Sequence, residues 1–150
     1  LIDELDCQYD DQLLHTEGRW LSKGKILKHF RELLPQISLF LEGRHQELSN
    51  VSWLRYLAFL TDITAKLNDL NVDLQGKDKN VVHMISAMQC FSQKLILWKI
   101  KQIENDLKHF PNLKEDVNNS STPFSCESYL PIVSSLIEEF KKRFADFRNI

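Results

Sequence analysis

Two stretches of apolar residues recur at three- and four-residue steps with only a short polar break between them. That spacing leaves the chain little choice but helix. The first stretch carries Leu54, Leu57, Ala58, Leu60 or Thr61, Thr64, Leu67, Leu70 and Leu74 on one mainly apolar stripe. Asn50 or Ser52 is placed to cap it, Gly76 to end it, and Lys77-Asp78-Lys79 is a polar turn. Asn80 then opens a second stretch through Val81, Met84, Ile85, Met88, Phe91, Leu95, Trp98, Ile103 and Leu107, which Pro111 stops after about Phe110. At 1.5 Å per residue, ~30 residues reach about 45 Å. A helix of that length is expected to project from the domain or to span a larger assembly.

The remaining segments follow the same period. From about Ser22, residues Ile26, Leu27, Phe30, Leu33, Leu34, Ile37, Phe40 and Leu41 predict a helix that Pro35 kinks or splits, with Gly43 as its stop. A last helix is predicted from near Ser125, with Pro131 in its first turns. Tyr129, Ile132, Val133, Leu136, Ile137, Phe140, Phe144 and Phe147 line one face of it. Residues 1–21 read as an irregular lead-in, and residues 112–124 as a polar, weakly ordered loop. Only four Gly and four Pro are present, fewer than a turn-rich β fold of this length uses. The expected fold is all-α: an irregular bundle of four to six helices with one long helix, in a single region over residues 1–150.

Charge and cysteine usage narrow the function. The net charge is −2, so DNA contact requires a local basic patch. Three widely spaced cysteines, Cys7, Cys90 and Cys126, argue against a disulfide framework and fit a reducing compartment. No apolar run approaches the ~18 residues of a membrane span, and the acidic start lacks the basic opening of a secretory signal. Beginning on Leu1, the chain reads as a piece of a longer protein.

Catalytic chemistry finds no foothold. His83 and Cys90 are two helical turns apart, too far for one ion, and read as a surface histidine and a buried cysteine. Cys7 and His15 lack a close second ligand. Asp3, Glu4, Asp6, Asp10 and Asp11 read as a solvated acidic segment rather than a magnesium site. There is no nucleophile elbow and no phosphate loop. The chain is therefore expected not to be an enzyme, with no catalytic residue, no metal and no cofactor of its own.

The exception is a basic stretch at the entrance to the first predicted helix. His15-Thr16-Glu17-Gly18-Arg19-Trp20-Leu21-Ser22-Lys23-Gly24-Lys25 sets three cations against one carboxylate, and Lys28 and Arg31 continue the charge. Such residues neutralise phosphates, and a tryptophan face stacks on an unpaired base. The spacing equally fits a Trp20 packed in the core and lysines on a solvated face.

The same stretch resembles the Arg-Trp-Leu-Ser motif of hAT-superfamily transposases. It is most similar to their vertebrate descendants, the zinc-finger BED domain-containing and general transcription factor II-I repeat domain-containing proteins. The similarity continues in order through Trp53-Leu54, Leu67-Asn68-Asp69-Leu70-Asn71, Leu97-Trp98, Phe110-Pro111-Asn112-Leu113 and Phe140-Lys141-Lys142-Arg143-Phe144. Gly18 departs from it, standing where a small aliphatic residue is usual. The resemblance implies the helical insertion of an RNase H-like transposase fold in a domesticated nuclear protein. Its magnesium or manganese triad would lie outside residues 1–150. It also implies a role in handling flanking DNA for Trp20 and Arg19, with Lys23 and Lys25 beside them. The alternative is a protein-interaction module without DNA binding. It would dock a partner or a second copy through its helices, for which the aromatic stripe Tyr129, Phe140, Phe144 and Phe147 is the candidate surface.

Overall fold

A computed structural model describes residues 19–41, 44, 46–76 and 78–148; the side chains of residues 19–24, 47, 144 and 146–148 lie outside what it describes. Six α-helices and no strand occur among the described residues: α1 (Arg19–Glu32), α2 (Leu34–Phe40), α3 (Val51–Leu74), α4 (Val81–Ile103), α5 (Pro111–Asn118) and α6 (Leu130–Arg148). Cys7, His15, the acidic cluster and most of the 1–21 lead-in fall outside the described residues. So does the expected stop at Gly43; α2 ends at Phe40.

α3 is the central element, with α1 and α5 packed against it, while α4 pairs with α6. Its limits follow from its sequence. The Asn50 side chain, on extended backbone, accepts a hydrogen bond from the Trp53 N–H at 3.0 Å and satisfies an otherwise orphaned donor. Asn80 does the same for α4 through the His83 N–H at 2.8 Å. Pro35 splits the first helical run: α1 ends at Glu32 and α2 restarts with the proline in its first turn.

The core gathers Ala58, Phe59 and Ile63 of α3, Phe91, Leu95 and Trp98 of α4, Leu113 of α5, and Tyr129, Val133 and Ile137 at α6. Phe59 sits at its middle, fully buried, 5.6 Å from the Phe110 ring and 4.9 Å from Tyr129 between centroids. Tyr129 is itself buried, and Phe140 packs on Phe91 at 5.0 Å. The described part of this aromatic face, Tyr129 and Phe140, is therefore spent on the core and is no docking stripe. Phe144 and Phe147 lie outside the described side chains.

Three further expectations are corrected. α4 does not run to Phe110. Asn105 takes a left-handed conformation (φ 57°), its N–H donates to the Gln102 carbonyl (3.0 Å), and the Asp106 N–H reaches the Lys101 carbonyl (2.8 Å). This is a Schellman stop with asparagine in the position glycine usually fills. The turn swings Leu107 and Phe110 back into the core, so α4 packs along the bundle instead of projecting. Residues 112–124 are not one loop, because α5 occupies their first half. Pro111 fits its first turn and Leu113 is fully buried. Cys90, expected to be buried, is exposed.

Gln102 is the anomaly of the core. It is fully buried, and neither atom of its amide has a hydrogen-bond partner among the described residues. A buried amide without a partner costs ~1–3 kcal/mol. Gln102→Met keeps the length and removes the polar atoms, so it is expected to raise unfolding free energy by about 1 kcal/mol in urea titration. A loss of stability would show that the amide is satisfied in solution.

Candidate nucleic-acid interface

The basic stretch belongs to one continuous helix. α1 begins at Arg19 and carries Gly24 inside it, so there is no glycine-bracketed entrance loop over residues 19–25. No acidic residue occupies its first turn. At roughly 100° per residue, Lys25 and Lys28 fall about 60° apart on one flank, whereas Lys23 falls about 140° from Lys28 and Arg19 opposite it. Among the expected contacts, the helix thus sets the positions of Arg19 and Lys23 on a different flank from that of Lys25. The side chains of Arg19, Trp20 and Lys23 are outside the described residues; Lys25 and Lys28 are both exposed.

Lys25 and Lys28 line a cleft of about 520 Å³ where α1, α3 and α5 meet. Asp62, Lys66 and Asp69 of α3 form its floor, and Asn112 of α5 closes one end. Arg31 faces the same cleft but is not a free cation. Its guanidinium pairs with Asp116, donates to the Asn112 carbonyl (3.0 Å) and lies 3.7 Å from Glu115. The expectation that Arg31 extends the open positive charge is corrected: it ties α1 to α5.

Asp62 explains why α5 exists. One carboxylate oxygen accepts from the Asn112 backbone N–H (3.2 Å) and from its side-chain amide (2.7 Å), and the other from the Leu113 N–H (3.0 Å). It therefore caps α5 from a different helix, and its charge sits at the positive end of that helix's dipole. Burial outweighs these donors and pushes its carboxyl above its ordinary value. Burial likewise raises the Asp116 carboxyl, against the pull of Arg31.

Lys66 is the functional-looking residue that spacing did not disclose. Its ammonium lies 4.4 Å from the Trp98 ring centroid and 5.2 Å from that of Phe110. Burial lowers its pKa, and Asp62 and Asp69 pull the other way. The one available signal was its place at i+7 from Phe59, a lysine on an otherwise core-facing stripe. Held over two rings and beside two carboxylates, it offsets one of the two negative charges of the cleft floor. The outward-facing cations of the site are Lys25 and Lys28.

No group of three or more metal-ligating side chains is placed to hold an ion among the described residues. Nor is any helix among them long and apolar enough to cross a membrane. The cleft holds no nucleophile with an adjacent base. Its chemistry is ionic attraction at the lip over a floor that carries two carboxylates and one ammonium.

The family model described as the FAM200/GTF2IRD2 helical domain matches residues 1–104. The chain is 42% identical over 151 residues to general transcription factor II-I repeat domain-containing protein 2 of Bos taurus, covering 99% of this chain and 16% of that protein. Against the Mus musculus protein of the same name, identity is 38% over 152 residues, again 99% of this chain and 16% of the relative. The chain thus spans 16% of the length of both relatives. No solved structure matches it significantly.

Proposed function

Because this chain belongs to the FAM200/GTF2IRD2-like helical-domain family, we propose that it is the helical insertion of an hAT-type, transposase-derived nuclear protein. It is a non-catalytic scaffold that meets DNA along α1. The relatives' name, with its general transcription factor, supports a nuclear setting. The observation that carries the DNA reading is the exposed pair Lys25 and Lys28 at the mouth of the cleft. They stand on the helix that opens with Arg19 and Trp20. Lysine ammonium groups at that lip neutralise backbone phosphates without reading sequence. Arg19 and Lys23, on the other flank of α1, would take phosphates further along the strand, and Trp20 would stack on an unpaired base. The magnesium or manganese chemistry of the parent fold is assigned to acids of a separate catalytic region, and this chain needs no metal for its own role.

The test is fluorescence anisotropy with a labelled duplex carrying an unpaired end. The chain is expected to bind it at low salt, and Lys25→Ala with Lys28→Ala to weaken binding about equally on unrelated sequences. No cleavage is expected with magnesium or manganese. Metal-dependent cleavage by the purified chain would refute the scaffold role, and absence of binding at low salt would refute the DNA contact.

A further inference from the structure

α4 has two faces with one seven-residue period. Its buried residues are Phe91, Leu95, Trp98 and Gln102. On the opposite side Ile96, Ile100 and Ile103 are exposed by 42%, 47% and 55%. Continuing toward the N-terminus at alternating steps of three and four, Gln93, Gln89, Ser86 and Val82 occupy the same side, and all four are exposed. From Val82 to Ile103 the seam never breaks step and carries no charge. It covers about three heptads and roughly 32 Å of helix. A helix that packs only within its own domain shows one apolar face at a 3.6-residue period. A second, outward seam at strict heptad spacing is the pattern of a coiled-coil partner helix.

We infer that α4 pairs with α4 of a second copy of this chain, parallel and in register, along this seam. The occupant follows from the seam and its borders. An uncharged seam presents nothing that repels its own copy. In heptad terms Lys99 precedes Ile100 on one border and Glu104 follows Ile103 on the other. Parallel pairing sets Lys99 of each copy against Glu104 of its partner, whereas antiparallel pairing centred on the isoleucines brings the two Lys99 side chains together. Among the described residues Glu104, the C-cap of α4, pairs with Lys101 at 3.0 Å on the surface. Gln93 and Gln89 are polar layers that pair with themselves only when the two helices are in register. Leu97, 43% exposed, and Lys99 flank the isoleucines and widen the contact.

Sedimentation equilibrium of the 150-residue chain tests this. At about 100 μM, well above the μM range of a modest interface, a dimer is expected. Ile96→Lys with Ile100→Lys is expected to abolish it while leaving helix content unchanged, because both positions are exposed, and to lower the unfolding midpoint only at concentrations where the wild type is dimeric. Glu104→Lys is expected to weaken the dimer roughly threefold, and adding Lys99→Glu to restore it. A wild-type chain that is monomeric at that concentration overturns the proposal, as does a dimer that survives the double lysine variant. If that variant misfolds, the charge pair decides: no weakening in Glu104→Lys, or no recovery on adding Lys99→Glu, overturns it equally.

Discussion

Asp62→Ala is expected to lower the unfolding free energy by about 3 kcal/mol, the cost of leaving several buried donors unpaired at once. Three donors converge on this one carboxylate, two of them backbone N–H groups at the start of α5. Leu113, whose N–H is one of them, is fully buried, so water does not readily replace the lost acceptor. α5 is only eight residues long, too short to stand without tertiary support. Its loss would also free Arg31 from Asp116 and loosen α1. Asp62→Asn keeps the shape but turns one acceptor into a donor facing an N–H, so it should recover only part of the loss. The pH dependence has a definite sign. The Asp62 carboxyl titrates above its ordinary 3.8, so the folded chain binds that proton more tightly than the unfolded one. Its contribution to stability therefore rises as pH falls from the folded value toward 3.8, and is at its least above the folded value. The wild type should keep its advantage over Asp62→Ala down to about pH 4. Urea titrations at neutral and mildly acidic pH check both points; a neutral-pH loss under ~1 kcal/mol would mean that α5 is capped by other means.

The other large effect is expected at Phe59. Truncating it to alanine should cost ~3–5 kcal/mol, the transfer energy of the ring plus the cavity it leaves. Its surroundings make collapse difficult. Phe110 and Tyr129 contact the ring from two sides, and each is fixed by its own element, Phe110 by the turn after α4 and Tyr129 by the start of α6. Phe40→Ala is the control. That side chain is 64% exposed at the end of α2, and the same chemical change there should stay within ~0.5 kcal/mol. Equal losses at the two positions would contradict this assignment of the core.

These two sites mark where sequence reading succeeds and where it stops. The limits of α3, the caps at Asn50 and Asn80 and the break at Pro35 were all legible, because each is set by residues a few positions away. α5 was not. Asn112-Leu113-Lys114-Glu115-Asp116-Val117-Asn118 looks like loop, and its cap comes from Asp62, fifty residues earlier. The end of α4 was missed because asparagine, not glycine, takes the left-handed position. Arg31 looked like open charge until α5 brought Asp116 to it. The aromatic face of α6 was legible as apolar, but not that Phe91 and Phe59 already cover Phe140 and Tyr129 on it. Within the candidate site, Lys25 and Lys28 were visible because they are local to one helix. Lys66 was not, because its meaning depends on Trp98 and Phe110 arriving from elsewhere in the chain. The division of Arg19 and Lys23 from Lys25 and Lys28 likewise needed the fact that α1 is unbroken across Gly24.

The most direct measurement of the central claim is the slope of log Kobs against log salt for duplex binding, for the wild-type chain and for Lys25→Ala with Lys28→Ala. Each phosphate neutralised contributes about −0.9 to that slope. If the exposed flank of α1 is the contact, the wild type gives a slope of about −2 or steeper, and the double variant is shallower by roughly 2. An unchanged slope in the variant, or no measurable binding by the wild type at about 50 mM salt, would contradict a DNA contact at Lys25 and Lys28.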